Sequence, residues 1–138
     1  DQYFLQYPGV YRWIGNTKAE ATKMGYVKTI LNRRRYVPEL NSDVTSTRKS
    51  AERVAINTPV QGSAADIIKL AMLRLDQALK STRSRLLLQV HDELVVEAPA
   101  DEAKEMAELM KHTMESAIKL NVELKVDVGI GSNWSEIH

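Results

Sequence analysis

Apolar and polar positions follow a helical period at the start of the chain and a strand period soon afterwards. From Pro8-Gly9 onward, apolar residues recur at helical intervals as far as Gly25, which predicts a helix that ends at this glycine. Two short extended runs follow, Tyr26 to Asn32 and Arg33 to Val37, and we expect them to pair as strands. Residues 41–47 are polar and predict a loop.

The middle of the chain predicts two helices separated at Pro59. The first is expected from about Ser46 to Ile56, and the second begins near Val60. Because proline lacks an amide hydrogen and clashes with the preceding turn, we expect the helix to break there. The second helix is strongly amphipathic, and its apolar stripe comprises Ala64, Ile67, Ile68, Ala71, Met72, Leu75 and Leu79.

The remaining third predicts a hairpin, a helix and a final strand. The hairpin strands are expected at 86–90 and 94–98, and a helix is expected to begin at Ala100 or Asp101. The final segment, Val122 to Val128, alternates apolar and polar residues and predicts a strand. This order of elements predicts an α+β fold in which helices cover one face of an antiparallel sheet.

Composition narrows the class of protein without identifying it. The 138 residues suffice for one hydrophobic core, and 43% hydrophobic with 27% charged residues is typical of a soluble globular protein. No apolar run approaches the roughly 20 residues of a membrane span, and no secretory signal pattern opens the chain. Since cysteine is absent, a disulfide framework and thiolate chemistry are excluded.

The charges are unevenly distributed although the net charge is only +1. Residues 1–54 hold ten Lys and Arg against five Asp and Glu, whereas residues 92–127 hold four against ten. A basic first half can bind a polyanion, and acids gathered later can bind cations. Charged helix faces that only keep the surface soluble would give the same distribution.

Candidate chemistry is concentrated in the segment LLLQVHDELVVEAP, Leu86 to Pro99. His91, Asp92 and Glu93 lie at its bend, where Asn-Gly or Asp-Gly would be the usual residues. Acids at the end of a rigid hairpin suit Mg²⁺, which takes one or two protein carboxylates and completes its shell from substrate phosphates and water. The same pattern would serve a nuclease or another phosphohydrolase, and Asp and Glu also favour turns for no catalytic reason.

The sequences of four segments resemble motifs of the family A DNA polymerases, of the bacterial DNA polymerase I type. The segment Leu86–Pro99 is similar to the motif C hairpin of that family. The other three match in the same order along the chain, and they read GYVKTILNRRRYVPEL, AERVAINTPVQGSAADIIKLAM and LKVDVGIGSNW. The resemblance covers essentially the whole chain and is weakest in the opening helix.

The resemblance implies template-directed nucleotidyl transfer to a primer 3′ end. Residues 1–25 would form the end of the fingers, and residues 26–138 the C-terminal part of the palm. The family's motif C aspartate, which binds divalent metals, corresponds to Asp92, and Glu93 takes the adjacent acidic place as a catalytic and metal-binding candidate. His91 matches the residue beside the primer-terminal nucleotide. The implied cofactor is a two-Mg²⁺ site, of which this chain supplies half.

Three further residues, Arg53, Asn57 and Gln61, match those that line the nascent duplex and the templating position. Their spacing of four places them on one side of helical backbone, and their polar groups suit the minor-groove acceptors that all base pairs share. With a break at Pro59, we expect two helices whose junction presents these residues. For Asn57, an N-cap before Pro59 is the structural alternative.

The arginine run is a weaker group of DNA-binding candidates. Arg33, Arg34 and Arg35 could contact phosphate or template, or they could be structural. Because side chains alternate along a strand, all three cannot face one partner.

Two segments of the family's pattern do not occur in this sequence. One is motif A, the Asp-Tyr-Ser-like strand with the first catalytic aspartate, and the other is the fingers helix that binds the incoming nucleotide. We therefore expect a fragment of a larger bacterial, cytoplasmic polymerase, inactive alone. Its expected partners are primer–template DNA, deoxynucleoside triphosphates and the rest of the polymerase, without a membrane. A non-catalytic DNA-binding fragment and a metal-dependent nuclease remain the alternatives.

Overall fold

The computed structural model describes residues 2–137, and the chain divides into two compact units between Asp66 and Ile67. The helices are α1 (Gln2–Gln6), α2 (Pro8–Met24), α3 (Thr45–Leu79) and α4 (Ala103–Glu115). The strands are β1 (Tyr26–Lys28), β2 (Arg34–Tyr36), β3 (Arg85–Val90) and β4 (Glu93–Glu97). The predicted α+β class is confirmed, and the strands form two antiparallel pairs, β1 with β2 and β3 with β4.

Helix α2 begins and ends where the sequence predicts. Pro8 occupies its first turn, where a missing amide hydrogen has no cost. Gly25 ends it with a φ of +81°, a left-handed conformation that glycine adopts without steric penalty. The Gly25 N–H donates to the carbonyl of Ala21 at 2.8 Å. The chain therefore turns directly from α2 into β1.

The first unit has a small apolar core shared by α2, the β1–β2 hairpin and the beginning of α3. In the hairpin, Val27 lies opposite Arg35 and is buried. The turn between the strands is closed by a hydrogen bond of 2.9 Å from the Thr29 N–H to the Arg33 carbonyl, and Asn32 has a φ of +61°. The buried residues of this core are Ala21, Val27, Val37, Leu40, Ala51 and Ala55.

Helix α3 is continuous for 35 residues, so the predicted break at Pro59 is wrong. Pro59 cannot donate to the carbonyl of Ala55, which costs the helix about 3 kcal/mol. Packing offsets this cost, because Ala55 is fully buried before the proline and Ile68 is buried after it. The Ser63 hydroxyl also donates to the Pro59 carbonyl. Tertiary contacts therefore outweigh the local preference for a break.

The second unit packs the C-terminal part of α3 against the β3–β4 hairpin and α4. Most of the predicted stripe of α3 faces this core, with Leu75 fully buried, although Ala64 is exposed. Arg83 pairs with Asp101 at 2.8 Å and Glu102 at 3.0 Å, and these hydrogen bonds raise the pKa of its guanidinium. The buried residues of this core are Ile68, Ala71, Leu75, Leu79, Leu94, Met106, Met114 and Ala117.

Two boundaries in the second unit differ from the prediction. A single 3₁₀ turn, Ala100–Glu102, precedes α4, so the α-helix begins slightly later than expected. Residues 122–128 belong to no strand in the described part of the chain, so the predicted final strand is wrong. The burial of the segment still alternates, and its Val126 N–H donates to Glu115 Oε1 at 3.0 Å. The apolar and polar side chains do alternate, but a β-strand also needs a partner strand with which to form backbone hydrogen bonds.

Within residues 2–137, none of the helices combines the length and the apolar character that crossing a lipid bilayer requires.

Candidate functional site

The acidic bend is a two-residue turn that exposes three functional candidates. Val90 pairs with Glu93 across the hairpin, so His91 and Asp92 alone form the turn and Glu93 is the first residue of β4. His91 has a φ of +53°, which is uncommon for a residue with a side chain. Its carbonyl accepts a hydrogen bond of 2.8 Å from the Gln89 amide. This contact and the two paired strands fix where the turn presents Asp92.

A cleft of about 630 Å³ lies beside this turn. Its acidic lining residues are Asp92, Glu93 and Asp127, and Lys125 also lines it. Asp92 and Glu93 supply exposed oxygen donors, which suits one side of a magnesium site. Among the described residues, no group of three His, Cys, Asp or Glu side chains is close enough together to hold a metal ion. Two exposed carboxylates fit a Mg²⁺ ion, which takes its remaining ligands from water and phosphate oxygens.

Two acids outside the turn, Glu97 and Asp66, are paired with arginines. Glu97 pairs across the hairpin with Arg85 at 3.2 Å. Asp66 is buried, accepts a hydrogen bond from the Thr29 hydroxyl and pairs with Arg33 at 2.9 Å. Asp127 lines the cleft together with Asp92 and Glu93.

The three predicted duplex-facing residues form one stripe on α3. Arg53, Asn57 and Gln61 are all exposed, and their spacing of four in a continuous helix keeps them on the same side over about 12 Å. The expected presentation from a junction of two helices is wrong, because Pro59 does not interrupt α3. The N-cap alternative for Asn57 is wrong for the same reason, since no helix begins there.

Arg34 and Arg35 lie in β2 and Arg33 precedes it, and all three line one pocket, contrary to the expectation that alternation keeps them from facing one partner. Arg33 pairs with Asp66, and the Arg34 guanidinium lies over the ring of Tyr26 at 4.5 Å from its centroid. A pocket of about 230 Å³ joins this run to the helix stripe. It is lined by Thr29, Arg33, Arg34, Arg35, Thr58, Gln61 and Gly62.

The burial and pairing of Asp66 were not predicted from the sequence. A signal was present, because an acid between Ala64 and Ile67 on an amphipathic helix falls close to the apolar face. A charged residue in that position is buried only when it is paired. Its partners, Thr29 and Arg33, lie more than thirty residues away in sequence, so periodicity alone could not identify them.

Comparison with known proteins places this arrangement in a family. The family model described as DNA polymerase family A matches residues 1–136. The thermostable DNA polymerase I of Thermus thermophilus is 53% identical over 134 residues, which cover 97% of this chain and 16% of that protein. DNA polymerase I of Bacillus caldotenax is 52% identical over 136 residues, again 97% of this chain and 16% of the relative.

A solved structure has the same fold. The POL domain of Pol1 from M. smegmatis, in complex with DNA primer-template and dNTP, superposes with a TM-score of 0.95 at 48% identity. The match covers 99% of this chain and 24% of that structure. The chain belongs to DNA polymerase family A, as the resemblance of its four segments predicts. It spans only about a sixth of the length of the relatives named above.

Proposed function

We propose that this chain is a segment of a DNA-directed DNA polymerase that adds nucleotides to a primer 3′ end. The observation that carries the proposal is the family match over nearly every residue, at about half identity to polymerases of the DNA polymerase I type. The exposed acidic turn and the polar stripe on α3 supply side chains suited to binding a metal ion and a duplex. The relatives named above are bacterial, and we propose the same origin for this chain.

In this proposal, Asp92 and Glu93 hold one side of a magnesium site. Both side chains are exposed at the rim of the cleft, and Asp92 has the position of the motif C aspartate in the resemblance. Bound Mg²⁺ would supply Lewis-acid activation of the primer 3′-hydroxyl and neutralise the charge on the leaving pyrophosphate. The contribution of this chain is to fix the position of the carboxylates, which the paired strands and the Gln89 contact achieve.

The remaining candidates would hold the primer–template duplex. His91 would lie against the primer-terminal nucleotide, one residue before the metal-binding aspartate. The stripe of Arg53, Asn57 and Gln61 would follow the minor groove and contact acceptors that every correct base pair presents. Such contacts report the shape of a base pair and not its sequence, as a polymerase requires.

The chain would act as part of a larger assembly. It would contribute the end of the fingers, residues 1–25, and the C-terminal palm, residues 26–138. The second catalytic acid and the helix that binds the incoming nucleotide would come from the rest of the polymerase. The low coverage of the relatives supports this. Primer–template DNA and deoxynucleoside triphosphates would be its substrates.

A non-catalytic DNA-binding fragment is the second candidate. The basic first half of the chain and the arginine-lined pocket favour it. A primer-extension assay, with the chain supplied together with the remaining family segments, separates the candidates. Extension with Mg²⁺ supports the proposed polymerase, a gel shift without turnover supports the DNA-binding fragment, and primer degradation supports a nuclease.

A further inference from the structure

Asp66 is a buried carboxylate that the proposed function does not use. Its side chain is 6% exposed, and its two oxygens have separate partners. The Thr29 hydroxyl donates to Oδ2, and the Arg33 Nε donates to Oδ1 at 2.9 Å. A buried carboxylate is costly unless it is paired and hydrogen-bonded, so the contacts with Thr29 and Arg33 stabilise the buried Asp66.

Further contacts dock the turn of residues 29–33 on α3. The Ile30 N–H donates to Ser63 Oγ at 2.8 Å, and an Arg33 guanidinium nitrogen lies 3.4 Å from the Gly62 carbonyl. The approach is close, because a Cβ added to Gly62 would lie 2.7 Å from Cγ2 of Thr29. The turn is thus attached to α3 through side-chain, backbone and van der Waals contacts.

This docking brings two groups of DNA-binding candidates to one place. Gln61 immediately precedes Gly62, the residue against which the turn packs. Arg35 and Gln61 line the same pocket, although one belongs to β2 and the other to α3. Thr29 and Arg33 line this pocket as well, and both are bonded to Asp66 of α3.

We propose that Asp66, Thr29 and Arg33 form a positioning network that holds the arginine strand beside Gln61, so that both contact one nucleic-acid duplex. The inference rests on the proposed function of Gln61 as a duplex contact. Asp66 and Thr29 act through their neighbours and do not themselves touch DNA. The docking geometry, and not the charge of Asp66, is what DNA binding requires.

The sign of one measurement separates positioning from charge. Asp66→Asn removes a negative charge close to a polyanion site, so electrostatics alone would tighten DNA binding. Loss of positioning would weaken it, because a shift of about 1 Å in a contact group is enough to reduce affinity and rate markedly. In a polymerase that contains the chain with the remaining family segments, we expect the Kd for primer–template to rise about five- to tenfold.

A second measurement separates positioning from general loss of structure. A destabilised variant has a smaller active fraction, which lowers extension from matched and mismatched primer ends by the same factor. A misplaced Gln61 changes the ratio of the two rates, because it senses base-pair geometry. We expect Asp66→Asn to shift this ratio in the same direction as Gln61→Ala, and to add little to it in the double variant.

Matched variants keep the test decisive if Asp66→Asn fails to fold. Thr29→Ser retains the hydroxyl that bonds Asp66, whereas Thr29→Val keeps the shape and loses it. We expect the serine variant to bind DNA like the parent and the valine variant to reproduce Asp66→Asn. Asp76→Asn removes the same charge from an exposed position on the same helix and should leave Kd and the ratio unchanged.

The outcomes distinguish this inference from the proposed function. If Gln61→Ala alters the extension ratio but Asp66→Asn and Thr29→Val do not, the network is not a positioning device and the proposed function stands. Tighter DNA binding by Asp66→Asn would also overturn the inference. If the parent polymerase does not extend primers at all, the proposed function is wrong. The inference then falls with it, because Gln61 would have no duplex to contact.

Discussion

At the scale of single residues, the turn at His91 and Asp92 combines an unfavourable backbone conformation with exposed side chains. A residue with a side chain is disfavoured at a φ of +53°, and glycine would adopt it without penalty. Histidine and aspartate there place an imidazole and a carboxylate at the exposed tip of a hairpin whose strands are paired up to Val90 and Glu93. Local strain of this kind is often retained where a side chain is needed for function.

The first prediction concerns Asp92. In the complete polymerase, Asp92→Ala should reduce primer extension by about three orders of magnitude, because several kcal/mol of transition-state stabilisation depend on the metal site. The Kd for primer–template should stay nearly unchanged, since removing a negative charge does not weaken binding to a polyanion. Steady-state extension and fluorescence anisotropy measure the two quantities.

A control on the same hairpin is Glu97→Ala, which removes an exposed acid paired with Arg85. Exposed pairs of this kind stabilise a protein by at most about 1 kcal/mol, so extension should continue at the parent rate. Wild-type turnover of Asp92→Ala at saturating Mg²⁺ would remove Asp92 from the metal site. Glu93→Ala should have a milder effect than Asp92→Ala.

The second prediction concerns the stripe on α3. Arg53→Ala, Asn57→Ala and Gln61→Ala should each lower extension efficiency by about tenfold, which corresponds to one lost minor-groove contact of roughly 1.4 kcal/mol. The loss should be largest when the primer ends in a mismatch. Because all three side chains are exposed, the circular dichroism spectrum should not change. A variant that has lost helical signal would be structural instead.

How far these residues could be predicted depends on what sets their position. A turn at His91 and Asp92 follows from two apolar strands on either side, which is local information in the sequence. The burial of Asp66 follows from contacts with a turn more than thirty residues earlier, which no local pattern encodes. The roles of Asp92 and of the α3 stripe come from family resemblance and remain predictions.

At the scale of elements, α3 demonstrates that packing can override a proline. The apolar stripe predicts helix on both sides of Pro59, and only the proline itself indicates a break. Ala55 and Ile68 are buried in the cores of the first and second units respectively, so each half of the helix is held by its own packing. The packing on the two sides of the proline together offsets the cost of the missing hydrogen bond.

The third prediction tests that balance. Pro59→Ala restores an amide that can donate to the Ala55 carbonyl, and should stabilise the helix locally by about 1 to 2 kcal/mol after the greater flexibility of the unfolded chain is considered. Hydrogen exchange by mass spectrometry should then be roughly tenfold slower in residues 55–63. Faster exchange there would mean that proline stabilises the observed geometry. Val60→Ala, at an exposed neighbouring position, is the control.

Residues 122–128 were predicted to form a strand and do not, because no other segment pairs with them in the described part of the chain. Their alternation of apolar and polar residues is real, since residues 124, 126 and 128 are half-buried and their neighbours are exposed. A strand, however, is defined by pairing, and pairing depends on another segment. Periodicity therefore predicted which side chains face inward and could not predict whether the backbone would join a sheet.

At the scale of the whole molecule, the acids Asp92, Glu93 and Asp127 line one cleft. Two-metal chemistry requires carboxylates on both sides of the metal pair, and the proposed function assigns Asp92 and Glu93 to one side. Several large apolar side chains are exposed, including Leu87, Leu88 and Val122 in the second unit. Exposed apolar groups beside an unpaired strand edge favour association with further chain.

The fourth prediction is that the isolated 138-residue chain incorporates no nucleotide with Mg²⁺, and that adding the remaining family segments restores incorporation. Size-exclusion chromatography should detect self-association of the chain alone and a defined complex once those segments are added. Circular dichroism must first establish that the isolated chain is folded. Robust incorporation by the folded chain alone would show that its second acid is internal, with Asp127 as the first residue to replace.

The tight approach of Gly62 to Thr29 has a consequence for the evolution of the sequence. Any residue larger than glycine at position 62 would place its Cβ against the Thr29 methyl group, which cannot rotate away while the hydroxyl is bonded to Asp66. Serine at position 29 lacks that methyl group and keeps the hydroxyl. Alanine at position 62 should therefore be inherited together with serine at position 29, and a library randomised at both positions and selected for polymerase activity should recover that pair while excluding alanine beside threonine.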